Sequence, residues 1–280
     1  MLESLPVWRH SGGGYLTGGV WFYRGEVFGI LPMVYGTAVV AGIALPLAAV
    51  LGIGGAVFSA ELLPPAARFP FKVAVEILAG VPSVIYGILG LVVLRGWIYE
   101  LFTRLAPPGE GPLSGDTLAT GGVLLAVMIL PTVTTLADDA LRGVPAAQRS
   151  AARALGLTRA ETVLSVSLPQ AWPGLVAALL LGLGRALGET IAVFLVVGRM
   201  DNQLPAGLLD LSPLLGPGQT LTTKLGGSET FIAYGDPLHW AAISGLAVVL
   251  LAMVTAATLG AVRLTGVRLG SEGSGKAAHG

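Results

Sequence analysis

VFGILPMVYGTAVVAGIALPLAAVLGIGGAVFSA, residues 27–60, lies between Glu26 and Glu61 and contains no Asp, Glu, Lys or Arg. About 20 apolar residues of helix cross a bilayer core about 30 Å thick, because a helix pairs its own backbone groups where lipid offers no partner. This stretch is long enough to span. The same absence of charge holds from Glu76 to Arg95, from Asp116 to Asp138 and from Asp236 to Arg263. A further stretch, Ala171 to Gly198, is equally apolar but carries Arg185 and Glu189 near its middle. Together they predict five spans, near residues 32–58, 74–94, 118–137, 173–197 and 238–262. The fold class is all-α, a polytopic integral membrane protein.

Composition agrees. Of 280 residues, 54% are hydrophobic and 11% charged, against roughly 25% charged in a soluble domain. Sixteen Lys plus Arg balance sixteen Asp plus Glu, so no basic field exists to hold nucleic acid. The chain has no cysteine, which excludes disulfides, thiolate zinc sites and cysteine nucleophiles. His10, His239 and His279 are scattered without ligand spacing. Neither a metal site nor a cofactor is expected, and no catalytic constellation appears. Residues Gly270 to Lys276 match the glycine and lysine positions of a phosphate-binding loop, but Ala277 follows where a hydroxyl is needed and no strand precedes. Residues 266–280 read as a flexible Gly/Ser-rich tail.

Lys and Arg in short loops stay cytoplasmic. One set of connections holds Arg68, Lys72, Arg142, Arg149, Arg153, Arg159, Arg263, Arg268 and Lys276; the other holds Arg9, Arg24, Arg95, Arg104, Arg199 and Lys224. The bias puts loop 138–172 and the C-terminus inside. Residues 1–30 then form an extracytoplasmic segment, yet they lack a signal-peptide pattern, so either the first span inserts as a reverse anchor or, the favoured expectation, a helix preceding them is absent from this chain. The remaining 31–265 form the transmembrane domain. Its outer loop, 199–237, has too little charge for a soluble domain and is expected to pack back as short helices or a re-entrant cap. Trp97, Tyr99 and Phe102 against Glu100 and Arg104 make an amphipathic patch at the outer interface.

Loop 138–172 reads as two short helices. Pro145 opens the first, Ala146 to Leu155 are good helix formers, and Gly156 stands where a left-handed cap is wanted. Thr158-Arg159-Ala160-Glu161 matches a capping box for the second, which Leu168-Pro169 is expected to end. Small residues Ser150, Ala151 and Ala152, taken as one face, would admit a partner's backbone; a hairpin lying on lipid headgroups is the alternative.

Arg185 and Glu189 stand four apart, one helical turn, and can pair. Ionisable groups inside a bilayer are costly unless paired or facing water. One reading gives Arg185 to a passing anion, with Glu189 and Thr190 positioning it or gating; the other makes a structural ion pair. Gly184 and Gly188 supply a G-x-x-x-G face for close helix contact.

Three motifs carry a resemblance. Ser150-Ala151-Ala152, Gly156 and Val166-Ser167-Leu168-Pro169 keep the spacing of the E-A-A loop of ABC importer permeases, with Ser150 replacing the Glu and Val166 an Ile. Ala79-Gly80-Val81-Pro82-Ser83-Val84-Ile85-Tyr86-Gly87 and Gly184-Arg185-Ala186-Leu187-Gly188-Glu189-Thr190-Ile191-Ala192-Val193 look like signatures of phosphate importer permeases, the second being more similar to PstC-type than to PstA-type subunits. The resemblance covers about residues 5 to 265. It implies a MetI-like fold, usually of six spans where this chain shows five, and no enzymatic activity of its own. It further implies a multi-pass place in the bacterial inner membrane, and four partners: a second, PstA-type permease, two ATPase subunits docked on the coupling loop, and an extracytoplasmic phosphate-binding protein. The substrate-pathway residues it points to are Arg185, Glu189 and Thr190; the coupling residues are Ser150, Ala151, Ala152, Gly156, Leu168 and Pro169. Permeases for phosphonate, sulfate or molybdate share the coupling spacing, and an ion-coupled carrier using Glu189 as a proton site, or a membrane scaffold, are readings from other classes.

Overall fold

A computed structural model describes residues 2–106, 111–207, 210 and 212–265. Tail 266–280, including Gly270 to Lys276, lies outside the described residues. Helices α1 (Leu5–Ser11) and α2 (Gly14–Thr17) precede a two-stranded antiparallel hairpin, β1 (Trp21–Phe22) and β2 (Val27–Phe28). Then come α3 (Leu31–Val57), α4 (Pro65–Gly80), α5 (Ser83–Leu89), α6 (Arg95–Leu105), α7 (Leu118–Arg142), α8 (Ala146–Ala154), α9 (Arg159–Thr162), α10 (Leu168–Gly188) and α11 (Ile191–Val196). Short helices α12 (Ser212–Leu215), α13 (Leu221–Leu225) and α14 (Glu229–Ala233) lead into α15 (Pro237–Thr265).

Among the described residues, five helical segments are long and apolar enough to cross a membrane: Leu31–Leu62, Ser83–Leu105, Leu118–Arg142, Arg159–Gly188 and Pro237–Gly260. α7 is the centre of the bundle, with 72% of its apolar window buried against 28% or less for the others. Lipid provides no hydrophobic drive between helices, so close packing must come from small residues. Gly52 on α3 and Gly182 on α10 both face Val133 of α7, where an added Cβ would stand 2.8 Å from a valine methyl. Val40, Leu125, Ile129, Val193 and Val196 fill the core around them.

Two spans differ from the charge-gap reading. The gap from Glu76 to Arg95 does not coincide with one helix, because Val81 and Pro82 are extended and separate α4 from α5; a residue before proline disfavours helix. The span instead starts at Ser83 and continues through a π turn, Gly90–Leu94, into α6. The fourth span ends at Gly188 and starts at Arg159, not 173. Leu168-Pro169 does not end the hairpin's second helix: the π turn Val163–Ser167 widens the helix just before Pro169, so α9 runs into α10 as one rod. Proline clashes with the carbonyl four residues back, and the wider turn relieves it.

The described residues of the outer loop, 199–207, 210 and 212–237, fold back onto the bundle. Leu118 N donates to Gly216 O at 3.2 Å, Gly218 N to Val197 O at 2.8 Å, and Leu221 N to Thr37 Oγ1 at 3.0 Å. The N-terminal segment packs on the start of α15, where the Tyr15 hydroxyl donates to Ala242 O at 2.7 Å. At the opposite end lie the Leu63–Pro64 turn and the α8–α9 hairpin.

Candidate functional site

The chain direction breaks between α10 and α11, and the three residues at the break are Gly188, Glu189 and Thr190. Glu189 is extended (φ −74°, ψ 121°), so it caps α10 instead of continuing it. Its carboxylate Oε1 accepts from Ala192 N at 3.2 Å and so satisfies a free amide at the start of α11. Its carbonyl accepts from the Thr222 hydroxyl at 3.0 Å. Thr190 is the N-cap of α11, its carbonyl accepting from Phe194 N at 2.9 Å. Glu189, Thr37, Thr220 and Thr222 border one small cavity. Hydroxyls and a carboxylate thus line a joint inside an otherwise apolar bundle.

Arg185 and Glu189 do not pair. Arg185 is the last cation of α10, and its Nη1 donates to Thr132 Oγ1 of α7 at 3.0 Å. Because the helix stops after Gly188, Glu189 leaves the face that an i,i+4 pair requires. The structure does join the two phosphate-permease-like stretches. A Cβ on Gly87 of α5 would stand 3.0 Å from Ala192 Cα and 2.7 Å from Leu195 Cδ1 of α11, and the Tyr86 hydroxyl donates back across the α4–α5 break to Leu78 O at 2.8 Å. A Cβ on Gly184 or Gly188 would meet nothing within 4 Å outside its own helix backbone, so their G-x-x-x-G face receives no helix from the described residues.

The hairpin forms as its local signals direct. α8 follows Pro145, Gly156 adopts φ +93°, and the capping box is reciprocal: Thr158 Oγ1 accepts from Glu161 N at 3.3 Å while the Glu161 carboxylate accepts from Thr158 N at 2.8 Å. Ser150, Ala151 and Ala152 do not share a face, because consecutive helical residues turn by about 100°. Ala152 is buried, Ala151 is exposed, and Ser150 points into a cleft with Arg149 and Arg153. The outward face is instead Ala147, Ala151, Ala154 and Leu155, all exposed.

A second buried polar group escaped the sequence reading. Lys224, 2% exposed, donates to Asp201 Oδ2 at 2.7 Å and to Glu229, and lies 5.0 Å over the Trp21 ring. Glu229 also accepts from the Trp21 indole and contacts His239 Nε2 at 3.1 Å. Burial pushes the Glu229 carboxyl up, but the Lys224 and Trp21 hydrogen bonds and the Lys224 charge outweigh it and hold the group below the usual carboxylate range. The knot ties the N-terminal hairpin, residues 199–202, α14 and α15 together. Its members are far apart in the chain, and the only local signal was charge inside a loop otherwise poor in it.

Residues 52–264 match the family described as binding-protein-dependent transport system inner membrane component. A probable ABC transporter permease, YqgH of Bacillus subtilis, is 35% identical over 213 residues, 76% of this chain and 65% of that protein. The phosphate transport system permease PstC of Mesorhizobium japonicum is 40% identical over 195 residues, 66% of this chain and 60% of that one. PstC of Haemophilus influenzae is 37% identical over 223 residues, 76% and 70% respectively. The chain spans less than two thirds of the length of the first two. In fold it is similar to a chain of the MetNI methionine ABC transporter in an inward-facing conformation, with a TM-score of 0.61 and 19% identity over 85% of this chain and 94% of that one.

Proposed function

Since the chain belongs to the family of binding-protein-dependent transport system inner membrane components, we propose that it is a permease subunit of an ATP-driven importer for inorganic phosphate. It sits in the bacterial cytoplasmic membrane beside a second, PstA-type permease. A binding protein delivers phosphate outside, and two ATPase subunits act on the hairpins inside. The chain itself performs no chemistry.

The observation that carries the reading is the single rod from Arg159 to Gly188. At about 1.5 Å per residue it spans the bilayer, with the capped hairpin at its lower end and Arg185 and the Glu189 joint at its upper end. Force applied to the exposed face of α8 passes through one short turn, residues 155–158, closed by Gly156 and the capping box, and then along the rod to the polar joint. Rocking such rods exposes the joint to one side and then the other, driven by the different stability of the two states with and without ATP. Arg185, tied to a neutral hydroxyl and not to a carboxylate, keeps its positive charge available to an anion. Transport also demands release, so the joint must hold phosphate weakly. The names of the PstC relatives favour phosphate over other oxyanions.

Reconstitution with the partner subunits tests this. ATP-dependent phosphate uptake into proteoliposomes that stops when the ATPase is omitted supports the importer; uptake by this chain alone under a proton gradient contradicts it.

A further inference from the structure

A cleft of about 670 Å³ opens between the Leu63–Pro64 turn and the α8–α9 hairpin, and five guanidiniums line it: Arg68, Arg142, Arg149, Arg153 and Arg159, against one carboxylate, Glu61. Their charges are unevenly answered. Arg142 is held by Asp138 at 2.6 Å. Arg149 stands 3.3 Å from Glu61 and donates to Leu141 O, yet its buried Nε lacks a hydrogen-bond partner; the ion pair is close enough for attraction but not aligned for that bond. Arg68 donates to the Leu63 carbonyl at 3.0 Å and has no acidic partner among the described residues. Arg153 and Arg159 have no acidic partner among the described residues. Several cations crowded into a concavity repel one another and raise its potential, which an anion relieves.

The direction of the arginines identifies the class of ligand. Ala146, Arg149, Ser150 and Arg153 occupy positions i, i+3, i+4 and i+7 of α8 and so share one face, which forms the wall of the cleft. Ala147, Ala151, Ala154 and Leu155 are exposed on the other side. That exposed apolar face suits a protein partner, while the arginine face is turned into a recess that suits a small, multiply charged oxyanion. The planar guanidinium fork matches phosphate oxygens in pairs. We propose that this cleft binds a phosphate-type anion, as free inorganic phosphate or as a lipid headgroup. Its position on the cytoplasmic side, and so its role as a place where anion gathers below the pathway, rests on the importer reading; the binding itself does not.

The test is equilibrium binding to the full chain, purified with whatever permease partner accompanies it. Inorganic phosphate is titrated at constant ionic strength with chloride as control, followed by phosphorus NMR line width. The titration is repeated in nanodiscs of phosphatidylcholine alone and of phosphatidylcholine with phosphatidylglycerol. Arg153→Gln with Arg159→Gln changes two exposed, unpaired side chains, with circular dichroism as the check on folding; the corresponding Lys pair keeps charge without the fork. The expected result is saturable phosphate binding that weakens at least tenfold in the Gln pair and by an intermediate factor in the Lys pair. Loss of phosphate binding in the phosphatidylglycerol discs would support the same site with a headgroup as occupant. Absence of saturable binding of either anion, equal binding by the Gln pair, or loss only of ATPase association overturns the proposal, the last because it makes the arginines a protein contact. The readout can fail while ATP-driven uptake survives, and can succeed where uptake proves independent of ATP, so the two readings are judged separately.

Discussion

Arg185 reaches across the α10–α7 interface to Thr132, donating from Nη1 to Oγ1 at 3.0 Å, and leaves Glu189 to cap α11. Positive charge in the bundle is therefore positioned by a neutral partner. Arg185→Ala in the assembled importer should lower the initial rate of phosphate uptake at least tenfold, and Thr132→Val by a smaller factor, since it frees the guanidinium without removing it. Equal uptake by wild type and Arg185→Ala would remove Arg185 from the pathway.

Gly87 permits α5 and α11 to touch. A methyl group there meets the Ala192 backbone at 3.0 Å, which cannot swing away as a side chain can. Gly87→Ala should lower stability by about 1–3 kcal/mol, the usual cost of overpacking, read as a fall in Tm of the detergent-purified protein. An unchanged Tm would mean that the two signature stretches do not pack in this way.

Gly156 adopts φ +93°, a conformation in which a Cβ clashes with the backbone at a cost of about 1–2 kcal/mol. Beyond the adjoining residues no heavy atom of the described residues lies within 4 Å of a Cβ placed there, so Gly156→Val acts through the local backbone alone. It should distort the α8–α9 turn and reduce ATPase co-purification while leaving the level of membrane insertion unchanged. Full co-purification and uptake would argue against docking at this hairpin.

Lys224 is buried with two carboxylates. Removing it strips Asp201 of its cation and leaves Glu229 only Trp21 and His239; breaking a fully buried pair costs about 3–5 kcal/mol, less where the carboxylates are 34% and 17% exposed, and Lys224→Met should show this as a lower Tm. Glu229 adds a pH dependence. Folding lowers its carboxyl from the ordinary value of 4.5, so its stabilisation is present above that value and is lost as pH falls through the lower folded one. Glu229→Gln should flatten the acid side of a Tm–pH curve. An acid limb as steep as wild type would place the effect elsewhere.

How far the sequence reached follows from how local each signal was. The five spans and the capped hairpin were legible because absence of charge and a four-residue capping box need no tertiary context. The boundaries of the second and fourth spans were not: charge gaps mark what lipid tolerates, whereas Val81-Pro82 breaks a helix and Pro169, behind a π turn, does not. Arg185 and Glu189 stood out as charges in an apolar stretch, but their pairing assumed a helix that Gly188 ends. Ser150, Ala151 and Ala152 matched a motif whose residues point three ways. The Lys224 knot joins Trp21 to His239, a separation at which no spacing rule operates.

The central claim is a membrane bundle whose hairpin faces the motor side, and the absence of cysteine from the chain makes its sidedness directly measurable. Single Ala151→Cys and Leu113→Cys variants, both at exposed positions, would be treated in intact cells with a membrane-impermeant maleimide. The account predicts that Leu113→Cys labels at once and Ala151→Cys only after permeabilisation. Labelling of Ala151→Cys in intact cells would contradict it, because an ATPase in the cytoplasm could not then reach the hairpin.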